Sequence, residues 1–256
     1  MTTEAISDAR ARRRLRRMAT WSRAVNLFRD FQVEQTDPDR FYGTMARDSV
    51  EQLSQLADLR GAHVLDVGGG PGYWADAFAA AGARYTPLDA DAGELALHGR
   101  TPLPGTVIGD GQRLPFRTDA FDLVYSSNVG EHVRQPWTMG DEMVRVCRPG
   151  GLVFYSYTLW YGPWGGHETA PWHYLNGDFA ARRYTRRTGH PPKNAYGRSL
   201  FPVSLRQGQT WARSQPHADV VDIIPRYLPA GLFWIRSVPV VREILTWNVA
   251  LILRKR

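Results

Sequence analysis

Apolar and polar positions change rhythm at about residue 61. Before it, Phe41, Met45, Val50, Leu53 and Leu56 recur at spacings close to one helical face. They predict a helix over residues 38–59, and an earlier helix is expected over 21–31, with Asp37-Pro38 breaking the chain between them. After residue 61, short apolar runs alternate with helical patterns. Residues 63–67 predict a strand, 73–81 an alanine-rich helix, and 84–88, 106–109 and 121–126 three more strands. A helix over 136–146 leads into a fifth strand over 152–157. Strands separated by helices indicate an α/β fold, a largely parallel sheet covered on both faces.

Beyond residue 157 this alternation stops. Residues 158–215 are rich in Trp, Tyr, His, Gly and Pro and carry no sustained period. Two further strands are expected over 218–224 and 248–254, making seven, around a helix over 233–245 kinked or started at Pro239. The expected organisation is a basic arm and helix (1–44), a core (45–157), an aromatic-rich cap (158–217) and a C-terminal segment (218–256).

Composition changes this picture little. A chain of 256 residues that is 43% hydrophobic and 22% charged is not globally disordered. The net charge of +7 is carried by arginine, since Lys193 and Lys255 are the only lysines. Codon usage in a GC-rich genome explains that bias as readily as anion binding does, although a basic chain favours anionic partners. Arg10, Arg12, Arg13, Arg14, Arg16 and Arg17 form the basic arm.

The single Cys147 excludes an internal disulfide, and without a Cys-x-x-Cys pair no structural zinc is expected. No apolar run reaches the length of a membrane span, and the basic N-terminus lacks the apolar stretch of a signal peptide. A cytoplasmic protein is expected. The C-terminal stretch with Phe233, Trp234 and Trp247 reads either as a buried helix with the last strand or, with the basic arm, as a peripheral contact to an anionic inner membrane face.

Chemistry enters with Asp66-Val67-Gly68-Gly69-Gly70-Pro71-Gly72, directly after a strand and before a helix. Glycines let a backbone turn tightly and approach a ligand, and a following helix offers free N–H groups. Gly70-Pro71-Gly72-Tyr73-Trp74-Ala75 also satisfies the dinucleotide pattern G-x-G-x-x-G/A. Asp66 decides against pyrophosphate, because a carboxylate there would repel it and attract an ammonium group. Asp89 closes the second strand, where it can accept from ribose hydroxyls. Asp110-Gly111 closes the third, where it can accept from an adenine amino group.

Four successive segments together resemble the class I S-adenosylmethionine (SAM)-dependent methyltransferases of the ubiquinone-methyltransferase-like group. They are the strand and glycine loop of residues 64–72, Asp110-Gly111-Gln112-Arg113-Leu114-Pro115-Phe116, Phe121-Asp122-Leu123-Val124, and Arg148-Pro149-Gly150-Gly151-Leu152. The resemblance implies a Rossmann-like seven-stranded sheet with SAM as cofactor and S-adenosylhomocysteine as product. It implies that Asp66, Gly68, Gly70 and Gly72 hold the methionine part and that Asp89 and Ala90 meet the ribose. Asp110, Gly111 and Gln112 would contact adenine, and Asn128 would lie beneath the sulfonium.

An alcohol acceptor benefits from a base, and histidine suits neutral pH. Glu131 and His132 follow the fourth strand, and His167 lies in the glycine-rich Trp164-Gly165-Gly166-His167-Glu168. One of the two histidines is expected to deprotonate the acceptor, with His132 the first choice. Tyr42, Trp164, His173 and Tyr174 are candidate acceptor contacts. His167 and His173 lack helical ligand spacing and a matched carboxylate cluster, so no metal is expected.

The expected reaction is O-methylation of a sugar, glycolipid or other hydroxylated metabolite. The alternative is C- or N-methylation of a quinone, polyketide or lipid. A nucleic-acid acceptor is disfavoured, because Ser126-Ser127-Asn128-Val129 stands where amino-methylating nucleic-acid enzymes carry Asn/Asp-Pro-Pro-Tyr/Phe.

Overall fold

The sheet is set by the alternation along its central strands. In the computed structural model, which describes residues 7–34, 36–91, 93 and 103–256, β4 (Phe121–Ser127) and β5 (Cys147–Thr158) send alternate side chains into two separate apolar layers. Leu123, Tyr125, Leu152 and Phe154 enter one layer. Val124, Val153, Tyr155 and Tyr157 enter the other. A strand buried on both faces needs a helical cover on each side.

On the first face lie α1 (Asp8–Met18), α2 (Trp21–Phe31), α3 (Pro38–Ser54) and α4 (Ala75–Ala80). On the second lie α5 (Pro136–Val146) and α7 (Leu205–Ser214).

The seven strands run in the order β3-β2-β1-β4-β5-β7-β6. The remaining strands are β1 (His63–Val67), β2 (Arg84–Asp89), β3 (Val107–Ile108), β6 (Ala218–Pro225) and β7 (Asn248–Lys255). The pairings β1–β2, β1–β4, β2–β3 and β4–β5 are parallel. β7 enters antiparallel between β5 and β6, with Leu251 opposite both Tyr155 and Ile223. The seven-stranded α/β sheet expected from the sequence is therefore present, and its topology reverses direction between β1 and β4.

Several elements differ from the sequence pattern. The basic arm is not a free tail. Ala11 and Leu15 of α1 are buried one turn apart against the sheet, Arg12 donates to the Val221 carbonyl at 3.0 Å, and Arg254 pairs with Asp8 at 2.9 Å. Residues 1–6 of the expected arm lie outside the described residues. The helix after the glycine loop starts only at Ala75 and has six residues, so it offers less than the helix end expected there.

Within residues 158–217, two helices form where no period was visible, α6 (Gly177–Thr188) and α7. The expected helix over 233–245 is split into a 3₁₀ run, Ala230–Ser237, and the short α8 (Val241–Leu245), because Pro239 supplies no N–H and Val240 takes a positive φ of 65°. No helix among the described residues is long and apolar enough to cross a membrane.

Candidate active site

The carboxyl ends of β1, β2 and β4 meet at one edge of the sheet, beside the switch in strand order where open α/β folds take ligands. Gly68 and Gly69 donate their N–H groups to the Leu88 carbonyl at 2.8 and 3.1 Å, which pins the glycine loop to the end of β2. Gly70 donates to Asp89 Oδ2 at 3.0 Å, and Asp91 donates to Asp89 Oδ1 at 3.0 Å. Gly68 has φ 82°, and a Cβ there would overlap the Val129 side chain. Only glycine meets both demands. At Gly70, with φ 49°, a Cβ would meet nothing within 4 Å, so this part of the loop faces open space. Gly72 also takes a positive φ, 78°.

Asp66 is 2% exposed and accepts from Tyr85 Oη at 2.6 Å. Burial pushes its carboxyl up to about 7, with the Tyr85 hydrogen bond opposing and the Asp89 charge adding to the rise. A buried carboxylate without a cation, beside a loop that opens to solvent, suits an ammonium group. SAM carries one.

Ala90 is exposed at the end of β2. Asp110 accepts from the Gln112 N–H at 2.8 Å and turns the backbone after β3, while Gly111 lies against Val67 and Met139. Asn128 has φ 57°, and its Oδ1 already accepts from Asn248 Nδ2 at 2.6 Å, so that oxygen has a partner within the protein.

Val129, which fills the space over Gly68, leads directly into a single 3₁₀ turn, Gly130–His132. This turn carries the second group of site residues next to the first. The Glu131 carboxylate is 1% exposed, and neither of its oxygens has a hydrogen-bond partner. His132 Nδ1 lies 2.7 Å from the Ser199 carbonyl. A carbonyl only accepts, so Nδ1 carries the proton and Nε2 keeps its lone pair.

His167 comes from the cap with φ 48°, and its ring centroid stands 5.1 Å from that of His132. Its Nε2 is buried without a partner. Burial lowers its basicity, with the Glu131 charge opposing, so the ring is held neutral. One donor atom from each of Glu131, His132 and His167 falls within 4.8 Å of the others.

The other acceptor candidates are placed differently. Trp164 packs with Phe28, Phe31 and Trp247 in an aromatic cluster that ties α2 to the cap. His173 is buried behind Gly166, with its ring against Trp160 and Nε2 3.3 Å from the Gly162 carbonyl. Tyr174 is 41% exposed on the surface. Tyr42 stacks on Tyr73 at 4.7 Å, just past the glycine loop, and donates to Glu34 Oε1 at 2.9 Å. Trp211, on α7, stacks on Trp137 and donates to Asp141 Oδ1 at 2.9 Å.

Ser199 and Phe201 carried no sequence signal. The Phe201 N–H holds the Glu131 carbonyl at 2.7 Å. A cavity of about 380 Å³ opens beside this turn, lined by Arg134, Trp137, Thr138, Phe201 and Val203 among others.

A seven-stranded sheet with one antiparallel strand inserted beside β5, a glycine loop after β1 and a carboxylate closing β2 define a class I SAM-dependent methyltransferase. Residues 65–155 match the family model described as a methyltransferase domain. The chain is 48% identical over 250 residues to a methyltransferase of Mycobacteroides abscessus, covering 93% of this chain and 96% of that one. It is 46% identical over 258 residues to one of Mycobacterium tuberculosis, covering 97% and 99%. The chain belongs to this methyltransferase family.

The fold is shared with a SAM-dependent methyltransferase of Mesorhizobium loti, at a TM-score of 0.51 and 17% identity over 84% of this chain and 98% of that one. It is also shared with a chain from the complex of the Haloferax volcanii Trm112 activator with its methyltransferase, at 0.54 and 15% over 99% of both.

Proposed function

We propose that the protein transfers the methyl group of SAM to a hydroxyl oxygen of a small acceptor such as a sugar, a glycolipid or another hydroxylated metabolite. The observation that supports this is the convergence of Glu131, His132 and His167 beside the glycine loop, through the Val129–Gly68 contact. SAM supplies an electrophilic methyl group, and an alcohol becomes a competent nucleophile when its proton is removed in place. One of the two imidazoles takes that proton, His132 first, because its Nδ1–H is anchored on Ser199 and its Nε2 lone pair is free.

Of His132→Ala and His167→Ala, the variant that removes the base, His132→Ala in the first instance, should lower turnover by about 10²–10⁴-fold while S-adenosylhomocysteine affinity stays unchanged. Calorimetry gives the affinity, and methyl transfer from labelled SAM to a panel of hydroxylated acceptors gives the rate. Near wild-type rates in both variants would shift the reading to a carbon or nitrogen acceptor.

Asp66, the glycine loop and Asp89 hold the methionine and ribose parts of SAM in this reading, with Asp110 and Gln112 toward adenine. It carries a pH signature. The Asp66 carboxyl is held at about 7, and an ammonium partner favours its ionised form. Cofactor affinity should therefore rise from pH 5.5 to about 7 and level off above, by at most about tenfold per pH unit. Asp66→Asn should flatten the profile. A wild-type affinity independent of pH across that window would remove Asp66 from the ammonium site.

A further inference from the structure

We infer that Glu131, His132 and His167 form the site of one divalent transition-metal cation. Two imidazoles and a carboxylate are the donor set that Zn²⁺ and its first-row neighbours take, whereas Mg²⁺ and Ca²⁺ prefer oxygen alone. The three donors lie within 4.8 Å of one another. Ligands bonded at about 2.0–2.2 Å stand about 3.3 Å apart, so small side-chain rotations close the site.

A second observation points to a ligand independently of that spacing. Both Glu131 oxygens and His167 Nε2 are buried with no partner. Protein interiors rarely leave such atoms unsatisfied, and an unpaired buried carboxylate is costly. A cation held between these three groups would satisfy the Glu131 oxygens and the His167 nitrogen together. The supporting shell is also present. The Ser199 carbonyl fixes the His132 tautomer that presents Nε2, and the Phe201 N–H fixes the backbone at Glu131.

Three protein ligands leave at least one coordination position for a substrate oxygen. The role of the cation, though not the site itself, rests on the hydroxyl-acceptor reading. Coordinated to the cation, the acceptor hydroxyl becomes more acidic and releases its proton to water. The oxygen–methyl bond then forms as the sulfur–methyl bond of SAM breaks, and S-adenosylhomocysteine leaves as a neutral thioether. With the ion bound, water takes the proton that the ion-free reading gives to His132, and a rate loss in a histidine variant reports loss of the ion.

The test uses the full chain stripped with a chelator, then titrated with Zn²⁺ by calorimetry and with Co²⁺ by visible absorption, without acceptor. One ion per chain is expected. Glu131→Gln and His167→Ala should each weaken it by more than about 100-fold, beyond the cost of losing an outer-shell partner. His190→Ala and His217→Ala, at exposed positions, should leave it unchanged. S-adenosylhomocysteine binding and the unfolding midpoint report that each variant is folded, and the near-isosteric Glu131→Gln covers the case in which His167→Ala is not.

Absence of stoichiometric binding, or wild-type affinity in both ligand variants, overturns the site. Histidine-dependent O-methylation without a bound ion would do so while leaving the acceptor reading intact. A stoichiometric ion in an enzyme that methylates only carbon or nitrogen would leave the site standing and overturn that reading.

Discussion

Arg226→Ala is expected to lower the thermal unfolding midpoint by about 6–12 °C. The side chain is 1% exposed, and among the described residues its hydrogen-bond partners are hydroxyls, with the Asp48 charge nearby. One terminal nitrogen donates to Ser127 Oγ at 2.6 Å and Ser156 Oγ at 2.7 Å, and the other to Ser49 Oγ at 2.6 Å and Tyr125 Oη at 3.2 Å. The guanidinium also lies 5.2 Å from the Phe154 ring centroid and 5.3 Å from that of Tyr227. It thus joins α3, β4 and β5 to the end of β6.

Burying the charge costs free energy, which the four hydroxyls and two ring faces offset. Truncation removes those bonds and leaves a cavity, a net loss of about 3 kcal/mol. In a protein of this size each kcal/mol shifts the midpoint by about 2–4 °C. Arg226→Met, which fills more of the space, should lose less than Arg226→Ala. Calorimetry showing an unchanged midpoint in the alanine variant would mean that this network does not hold the sheet to α3.

Asp89→Ala is expected to weaken S-adenosylhomocysteine binding by about 10–150-fold, equivalent to about 1.5–3 kcal/mol for hydrogen bonds to a charged group. The carboxylate has two tasks. In the proposed cofactor reading it accepts from the ribose hydroxyls, and in the structure it already holds the Gly70 and Asp91 N–H groups. Asp89→Asn keeps one acceptor oxygen, so it should fall between wild type and alanine. Unchanged affinity in a folded Asp89→Ala protein, measured by calorimetry, would place the cofactor elsewhere.

The central strands were legible because they are short apolar runs whose ends are marked. β1 and β2 end at the glycine loop and at Asp89, and β5 opens with Arg148-Pro149-Gly150-Gly151 directly after Cys147. The two helices missed after β5 announce themselves through caps rather than apolar period. Ser204 and Gln207 form a capping box at α7, whose inner face is Leu205, Gly208, Trp211 and Ala212. Asn176 caps α6, and Gly189 ends it in the left-handed region. The α1 face was hidden because only Ala11 and Leu15 of this helix are buried, set among arginines.

At the candidate site, the glycine loop and the position of Glu131 and His132 after β4 were readable from strand ends. The meeting of His132 with His167 was not, because it depends on tertiary closure. Gly165 and Gly166 sit where side chains would overlap the backbone at Leu159 and Trp160 and the His173 ring. No spacing in the sequence encodes that approach, and reading His167 with its neighbour His173 hid it.

The docking of α1 also sets a timetable for synthesis. Its anchors are Val221, Ala230 and Arg254, the last of them 246 residues along the chain from Asp8. On the ribosome α1 therefore lacks these partners until β6 and β7 have emerged. Throughout translation it is a basic amphipathic segment without its partner, open to capture by chaperones. Closing so long a loop comes late in folding, so the N-terminal helix is the latch that shuts once the last strand is in place.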